Sequence, residues 1–268
     1  MNSRYQLPKD GGLIKDGAPK DIIHRYERMQ TRVFENEFSG VQYVADIICH
    51  MIKNHSENAS ARDIYEELPP FVLGLTTGRT PLGLYRELVR RYQAGEVSFK
   101  NVAVYSLDEF YPISRTEQQS RNFRIYDDFL THIDIAPENV HMLDGTVSER
   151  EVSEYCAEYE KSIRKIDLMI VGFGEQGQIG FNEQGSYAKS HTRLVELSHN
   201  SRKTQSSQFF GLENTPKMGI TMGIGTIMRA DRIILMAWGE DKADAVKHIV
   251  EGEITDMVPT SHLQAHSN

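Results

Sequence analysis

The sequence predicts an α/β protein built on a doubly wound, mostly parallel sheet with helices on both faces, a Rossmann-like arrangement. Three observations carry this expectation. Short, mostly apolar runs recur at 71–75, 102–107, 166–172 and 232–238, and segments of helical period lie between them. Gly, Thr and acidic residues cluster just after the first three runs. Strands covered on both faces lose the polar alternation of a half-exposed sheet, so continuous apolar runs divided by helices point to parallel pairing.

The elements follow in order. Residues 1–20 are polar and rich in Gly and Lys, and read as a loose arm. Helices are expected over 20–36 (KDIIHRYERMQTRVFEN) and 40–55 (GVQYVADIICHMIKNH). FVLGL (71–75) is a strand, and the helix TPLGLYRELVRRYQAG (80–95) follows, with Thr80 as N-cap, Pro81 at its first position and Gly95 as its stop. VAVYSL (102–107) is a strand and RNFRIYDDFLTHI (121–133) a helix. SEREVSEYCAEYEKSIRK (148–165) opens with a capping box, Ser148 and Glu151. IDLMIVG (166–172) and RIILMAW (232–238) are strands, and EDKADAVKHIVEG is the last helix. No linker composition divides 21–268, so one domain is expected there.

Composition sets limits on function. Of 268 residues, 39% are hydrophobic and 25% charged, ordinary for a globular protein, and the formal net charge is −8. That charge argues against a general nucleic-acid binder or a protein adhering to acidic membranes, while an anionic small ligand stays open. No apolar run has the length of a signal peptide or membrane span. Cys49 and Cys156 are far apart and lack metal-ligand spacing, which suits a reduced, cytoplasmic protein with no metal or cofactor.

In open α/β sheets, ligands bind beyond the carboxyl ends of the strands. Three segments fall there: TTGRTP (76–81), DEFYP (108–112) and GFGEQGQIGFNE (172–183). The last contains Gly172-x-Gly174-x-x-Gly177, the spacing of a dinucleotide turn. That turn needs a helix right after its third glycine, whereas QIGFNEQGS holds two more glycines and no helical period. A loop that lets backbones pack closely is the plainer alternative. TTGRT places hydroxyls and free N–H groups at a helix N-terminus, which suits an anion.

Six ordered blocks, LGLTTGRTPLGLYRELV, SFKNVAVYSLDEFYPI, HIDIAPENVHMLDG, VGFGEQGQIGFNEQGS, LENTPKMGITMGIGTI and VEGEITDMVPTSHLQAH, resemble the glucosamine-6-phosphate deaminase (isomerase) family, which is related to the 6-phosphogluconolactonases. The resemblance runs from about residue 30. It implies that Asp108 shuttles a proton between C2 and C1 of an opened amino sugar phosphate, with Glu109 beside it. It also implies that Thr77, Gly78, Arg79, Thr80 and Lys217 bind phosphate, and that Gly172, Gly174 and Gly177 shape the substrate loop. Arg79 replaces a small residue and has two readings, a further phosphate contact or a solvent-facing charge.

The chain departs from the family where ring opening is concerned. The family's loop Asp and His are Gln176 and Gln178 here, and only Glu183 of that set remains. Glutamine can hold a hydroxyl but cannot exchange a proton near neutral pH. Compensation by His191, His199, His262 or His266 is less expected than a surface or packing role for each. Gln208 stands where a phosphate arginine precedes the Phe pair. Ser186 and Arg193 match an allosteric site, but its companion basic position is Val195, so allosteric control is not expected. The chain also stops before the family's final strand and helix. The resemblance implies conversion of an amino sugar 6-phosphate to fructose 6-phosphate and ammonia, weakened by the glutamines, in a homo-oligomer. The alternatives are a binding module or domain of a larger protein that has lost turnover, and, more weakly, a lactonase.

Overall fold

In the computed structural model, residues 28–60 and 69–268 are described. Its main sheet has five parallel strands: β1 (Phe71–Leu75), β2 (Val102–Ser106), β4 (Val140–His141), β5 (Leu168–Val171) and β8 (Ile233–Leu235). They lie in the order β4-β2-β1-β5-β8. All four expected runs contain a strand. Successive side chains of a strand point to opposite faces, and β5 shows the result: Leu168 and Ile170 enter one buried cluster, Met169 and Val171 another.

Helices cover both faces, as expected. α1 (Glu37–Ser60) and α2 (Arg79–Gln93) supply Ile48, Leu84 and Leu88 to the first cluster, with Phe99 and Phe129. α4 (Val152–Ser162) and α6 (Ile224–Ile227) supply Cys156, Tyr159, Ile224 and Ile227 to the second. The remaining helices are α3 (Arg121–Asp128), α5 (His199–Gln205) and α7 (Ala243–Glu251). Both cysteines are free and buried.

Four local expectations need correction. The helix expected over 20–36 lies partly outside the described residues, and 28–36 is not helical. Asn36 Oδ1 accepts from the Ser39 N–H at 2.9 Å, so the helix starts after Asn36. Upstream, Phe34 and Arg32 pack on Tyr43 instead of continuing a helical stripe. Thr80 is not the N-cap of α2. Gly78 holds that position with φ 106°, and Thr80 sits in the first turn. The Ser148 hydroxyl bonds the Glu151 carboxylate, but α4 starts only at Val152, so the pair closes a turn before the helix and does not cap it.

The fourth correction concerns DEFYP, which is a strand and not a loop. β3 (Asp108–Tyr111), β7 (Met218–Thr221) and β6 (Arg193–Glu196) form a separate antiparallel sheet in the order β3-β7-β6. Asp108 pairs with Thr221 and Tyr111 with Met218. Phe110 anchors this sheet against Phe181 and Phe209 at ring separations of 5.1 and 4.9 Å.

A buried carboxylate joins β3 to α3. Glu109 is 1% exposed and accepts from the Ser120 hydroxyl and from the N–H groups of Phe110, Arg121 and Asn122, all within 2.7–2.9 Å. A carboxylate at a helix N-terminus meets both the orphan N–H donors and the positive end of the dipole. Burial pushes the Glu109 carboxyl up, and the four donors pull against that shift. Gly180 is a second tight junction. Its φ is +57°, and a β-carbon there would lie 2.9 Å from Thr221 Oγ1 and 3.2 Å from Leu107 Cγ.

Two outcomes follow for stability. Glu109→Ala strands buried donors and should lower unfolding free energy by about 2–4 kcal/mol, read by urea denaturation. Gly180→Ala combines a disfavoured φ with a close contact and should cost about 1–3 kcal/mol on the same measurement. Unchanged midpoints would contradict these accounts.

Candidate functional site

β2, β1 and β5 are neighbours in the sheet, so the segments leaving their carboxyl ends start side by side. Backbone bonds hold them together. The Leu107 N–H donates to the Leu75 carbonyl and the Met222 N–H to the Leu107 carbonyl, each at 2.8 Å. A β-carbon on Gly172 would lie 3.5 Å from Thr80 Cβ, which brings the third segment against the first.

The first segment turns sharply into α2. The Tyr85 hydroxyl donates to the Thr76 carbonyl at 2.5 Å, and Trp238 Nε1 donates to the Thr80 carbonyl at 2.9 Å. Gly78 takes a left-handed φ that a side chain would resist, and no side chain caps the helix. The first N–H groups of this 15-residue helix are therefore not satisfied by a capping side chain, and they carry the positive end of its dipole. Thr77 and Thr80 are half-buried. Arg79 is exposed and makes no hydrogen bond or ion pair among the described residues.

The second segment carries Asp108. It is 5% exposed, and its nearest opposite charge is Arg121, with Nε 3.7 Å from Oδ2. Burial raises its carboxyl above the ordinary aspartate range, while the Arg121 charge pulls it back. Asp108 and Glu109 are successive strand residues and project to opposite faces. Glu109 is occupied by the first turn of α3, so the two acids do not form a side-by-side pair.

The third segment is a tight turn and not a nucleotide fingerprint. The Gly174 N–H donates to the Gln178 carbonyl and the Gly177 N–H to the Gly174 carbonyl, each at 2.9 Å, and no helix follows. Gln178 Oε1 accepts from the Gln176 N–H at 2.9 Å, so this side chain is folded onto its own loop. Gln176 is exposed. Thr260 fixes the turn from behind, donating its N–H and hydroxyl to the Gly177 carbonyl at 3.0 and 2.8 Å.

Glu183 and Lys217 meet the same junction. Glu183 is half-buried and accepts the Ser198 N–H at the start of α5, at 3.0 Å, while the Leu197 N–H donates to the Lys217 carbonyl at 2.8 Å. The Lys217 side chain is exposed. Arg193 reaches Asn182 Oδ1 at 2.9 Å and Ser186 Oγ at 3.4 Å, while Val195 is half-buried. Gln208 is exposed and donates to Gln205.

None of the four histidines bonds to Asp108. His191 contacts Glu160 and His262 contacts Asp256, at 3.2 and 2.7 Å. His266 faces the Ala230 carbonyl, and His199 is exposed. Among the described residues no cluster of His, Cys, Asp and Glu is arranged to hold a metal, and no helix is long and apolar enough to cross a membrane. Sequence reasoning missed Arg121: it sits in the polar run QQSRNF, where no pattern marks it.

Comparison with known proteins identifies the family and the fold. The family described as glucosamine-6-phosphate isomerases/6-phosphogluconolactonase matches residues 43–268. A glucosamine-6-phosphate deaminase-like protein of Bacteroides thetaiotaomicron is 37% identical over 100% of this chain, which spans only 39% of that protein's length. A glucosamine-6-phosphate deaminase of Treponema denticola is 39% identical over 84% of this chain and 81% of its own. The solved structure of a monomeric glucosamine-6-phosphate deaminase superposes with TM-score 0.78 at 34% identity, covering 87% of this chain and 92% of that one. A 6-phosphogluconolactonase of Thermotoga maritima shares the fold, with TM-score 0.60 at 17% identity over 81% and 89% of the two chains. The chain belongs to the glucosamine-6-phosphate isomerase and 6-phosphogluconolactonase family.

Proposed function

We propose that this chain binds an amino sugar 6-phosphate and converts it, slowly, to fructose 6-phosphate and ammonia. The observation that carries the reading is Asp108: a carboxylate buried at a strand tip, held beside the glycine loop by the strand that also carries Glu109. The similarity to named deaminases supplies the reaction class.

In this reading the phosphate lies against the N–H groups and threonine hydroxyls of Thr77–Thr80, with Lys217 as a second charge. The helix dipole of α2 favours the anion there without a metal. Asp108, ionised, takes the proton from C2 of the open chain and returns it to C1. Its raised pKa makes it a stronger base than an exposed aspartate once ionised. Glu183 holds a sugar hydroxyl while sharing the Ser198 N–H. Glu109 acts through structure, by fixing the β3–α3 junction. Gln176 and Gln178 line the loop without exchanging protons, so the chain depends on spontaneous ring opening. The remaining parts of this proposal are a cytoplasmic site of action, an isomerase domain within 21–268 and a homo-oligomer. The last is set against a structural relative described as monomeric.

One observation favours a second reading. Gln178 spends its acceptor on its own loop, which suits a sugar-phosphate-binding module that has lost turnover. An assay for ammonia and fructose 6-phosphate from glucosamine 6-phosphate separates the two. Slow turnover is expected, roughly 10²–10⁴ below that of family members carrying the loop histidine. A rate equal to theirs would overturn our account of the glutamines, and no turnover with ligand-induced stabilisation would favour the binding module. Gln178→His should raise the rate.

Asp108→Asn should abolish turnover yet keep the thermal stabilisation by glucosamine 6-phosphate, about 2.7 kcal/mol at a hundredfold excess over Kd. The pH profile follows from the sign of the Asp108 shift. Activity needs the ionised form, so kcat/KM should rise with pH through a value above the ordinary aspartate pKa of about 4. A profile flat from pH 4 upward would remove Asp108 as the base.

A further inference from the structure

The Asp108 face of the site holds a charge that the chemistry above does not use. Glu109 fixes the backbone N–H of Arg121 at 2.9 Å, which sets where this side chain leaves the first turn of α3. The guanidinium then lies over two rings, 4.7 Å from the centroid of Phe110 and 5.6 Å from that of Phe181. The side chain is 12% exposed, and Nε is buried without a hydrogen-bond partner. Asp108 Oδ2, at 3.7 Å, is too far for a hydrogen bond but near enough for Coulombic attraction.

A buried N–H without an acceptor typically costs about 1–3 kcal/mol, and such a group in a folded protein calls for an explanation. Surface solvation would satisfy a free arginine. The two rings hold this one beside the acid, and its side chain stays 12% exposed, which leaves a third group room to reach the guanidinium. The group that must come within reach of Asp108 is the reacting end of the ligand.

Resting on the isomerase reading above, we propose that Arg121 is a catalytic residue that donates to the substrate O1 oxyanion formed when Asp108 removes the C2 proton. The C2–H electron pair becomes the C1=C2 bond, and the C1=O pair moves to O1, beside the guanidinium. Asp108 returns its proton to C1, and a proton from the amine ends on O1. The resulting 2-imino sugar is hydrolysed by water to the ketose and ammonia. Proton transfer is thus stabilised by a fixed cation placed where negative charge develops, the arrangement that contributes most when it is organised beforehand. The same charge favours the ionised form of Asp108 against its burial.

Two ligands test this. A five-carbon aldonohydroxamate 5-phosphate mimics the planar, charged enediolate edge, and 2-amino-2-deoxyglucitol 6-phosphate is the open chain without that charge. The wild-type protein should bind the hydroxamate at least roughly tenfold more tightly than the alcohol. Arg121→Met should weaken the hydroxamate by roughly 10²-fold, the usual scale for one oxyanion donor, and the alcohol by less than about threefold. Arg121→Lys should fall between them, and it carries the test if Arg121→Met does not fold. The acid limb of kcat/KM should also move to higher pH in Arg121→Met. Equal losses for both ligands, or none, would overturn the proposal and leave Arg121 a packing or general binding residue. If the folded wild-type protein binds neither ligand, the sugar-phosphate reading itself falls, and this inference with it.

Discussion

The site depends on the four donors that converge on Glu109. A carboxylate buried to this degree would be costly without partners. Here the hydroxyl of Ser120 and three backbone N–H groups satisfy it, and they come from both the strand and the helix that follows. The bond network therefore acts as a brace across the β3–α3 turn. Asp108 lies one residue before the brace on the chain, and Arg121 is one of the residues it grips. Two adjacent acids have been given opposite environments, one saturated with donors and one left with a single cation at a distance. Such a contrast is the condition under which neighbouring carboxylates can take different roles.

The glycine-rich loop shows a different division of labour. Its glycines allow the chain to turn tightly against Leu107, Thr221 and Val258, where β-carbons would collide. The shape of the loop is thus a packing property and survives whatever side chains stand at 176 and 178. The side chains of the loop are a separate matter: the amide at 178 closes on the backbone of 176. Shape and side-chain content are separable here, so a fold can remain recognisable while the polar groups on one of its loops change.

Much of the architecture was legible because it is encoded locally. β1, β2 and β5 are short apolar runs buried on both faces, and α2 has its Pro, its apolar stripe and its stop at Gly95. The antiparallel sheet was not legible. DEFY has two acids and no alternation that would suggest a strand, and it becomes one through pairing with residues 218–221, more than a hundred positions away. The helix start at 79 in place of 81 was hidden because Gly78 reaches its conformation without a side-chain cap. Within 28–36 the expected helix gives way for a similar reason, since Phe34 and Arg32 pack on Tyr43 instead of along a helix. Of the candidate site, Asp108 and the glycine loop stood out as residues at strand tips. The different surroundings of Asp108 and Glu109, and the presence of Arg121, needed three-dimensional contacts, since adjacency in sequence places the two acids on opposite faces.

The two hydrogen bonds from Thr260 to the Gly177 carbonyl have a consequence for how the molecule is made. These partners are 83 positions apart, and the later one belongs to the final fifth of the chain. During synthesis the sheet strands β1, β2 and β5 can pair while the loop still lacks its rear wall. The loop takes its finished shape only once the segment around 258–261 has left the ribosome and folded back. Because residue 260 is made after all three strands, the rear wall of the loop is completed after the scaffold that carries it.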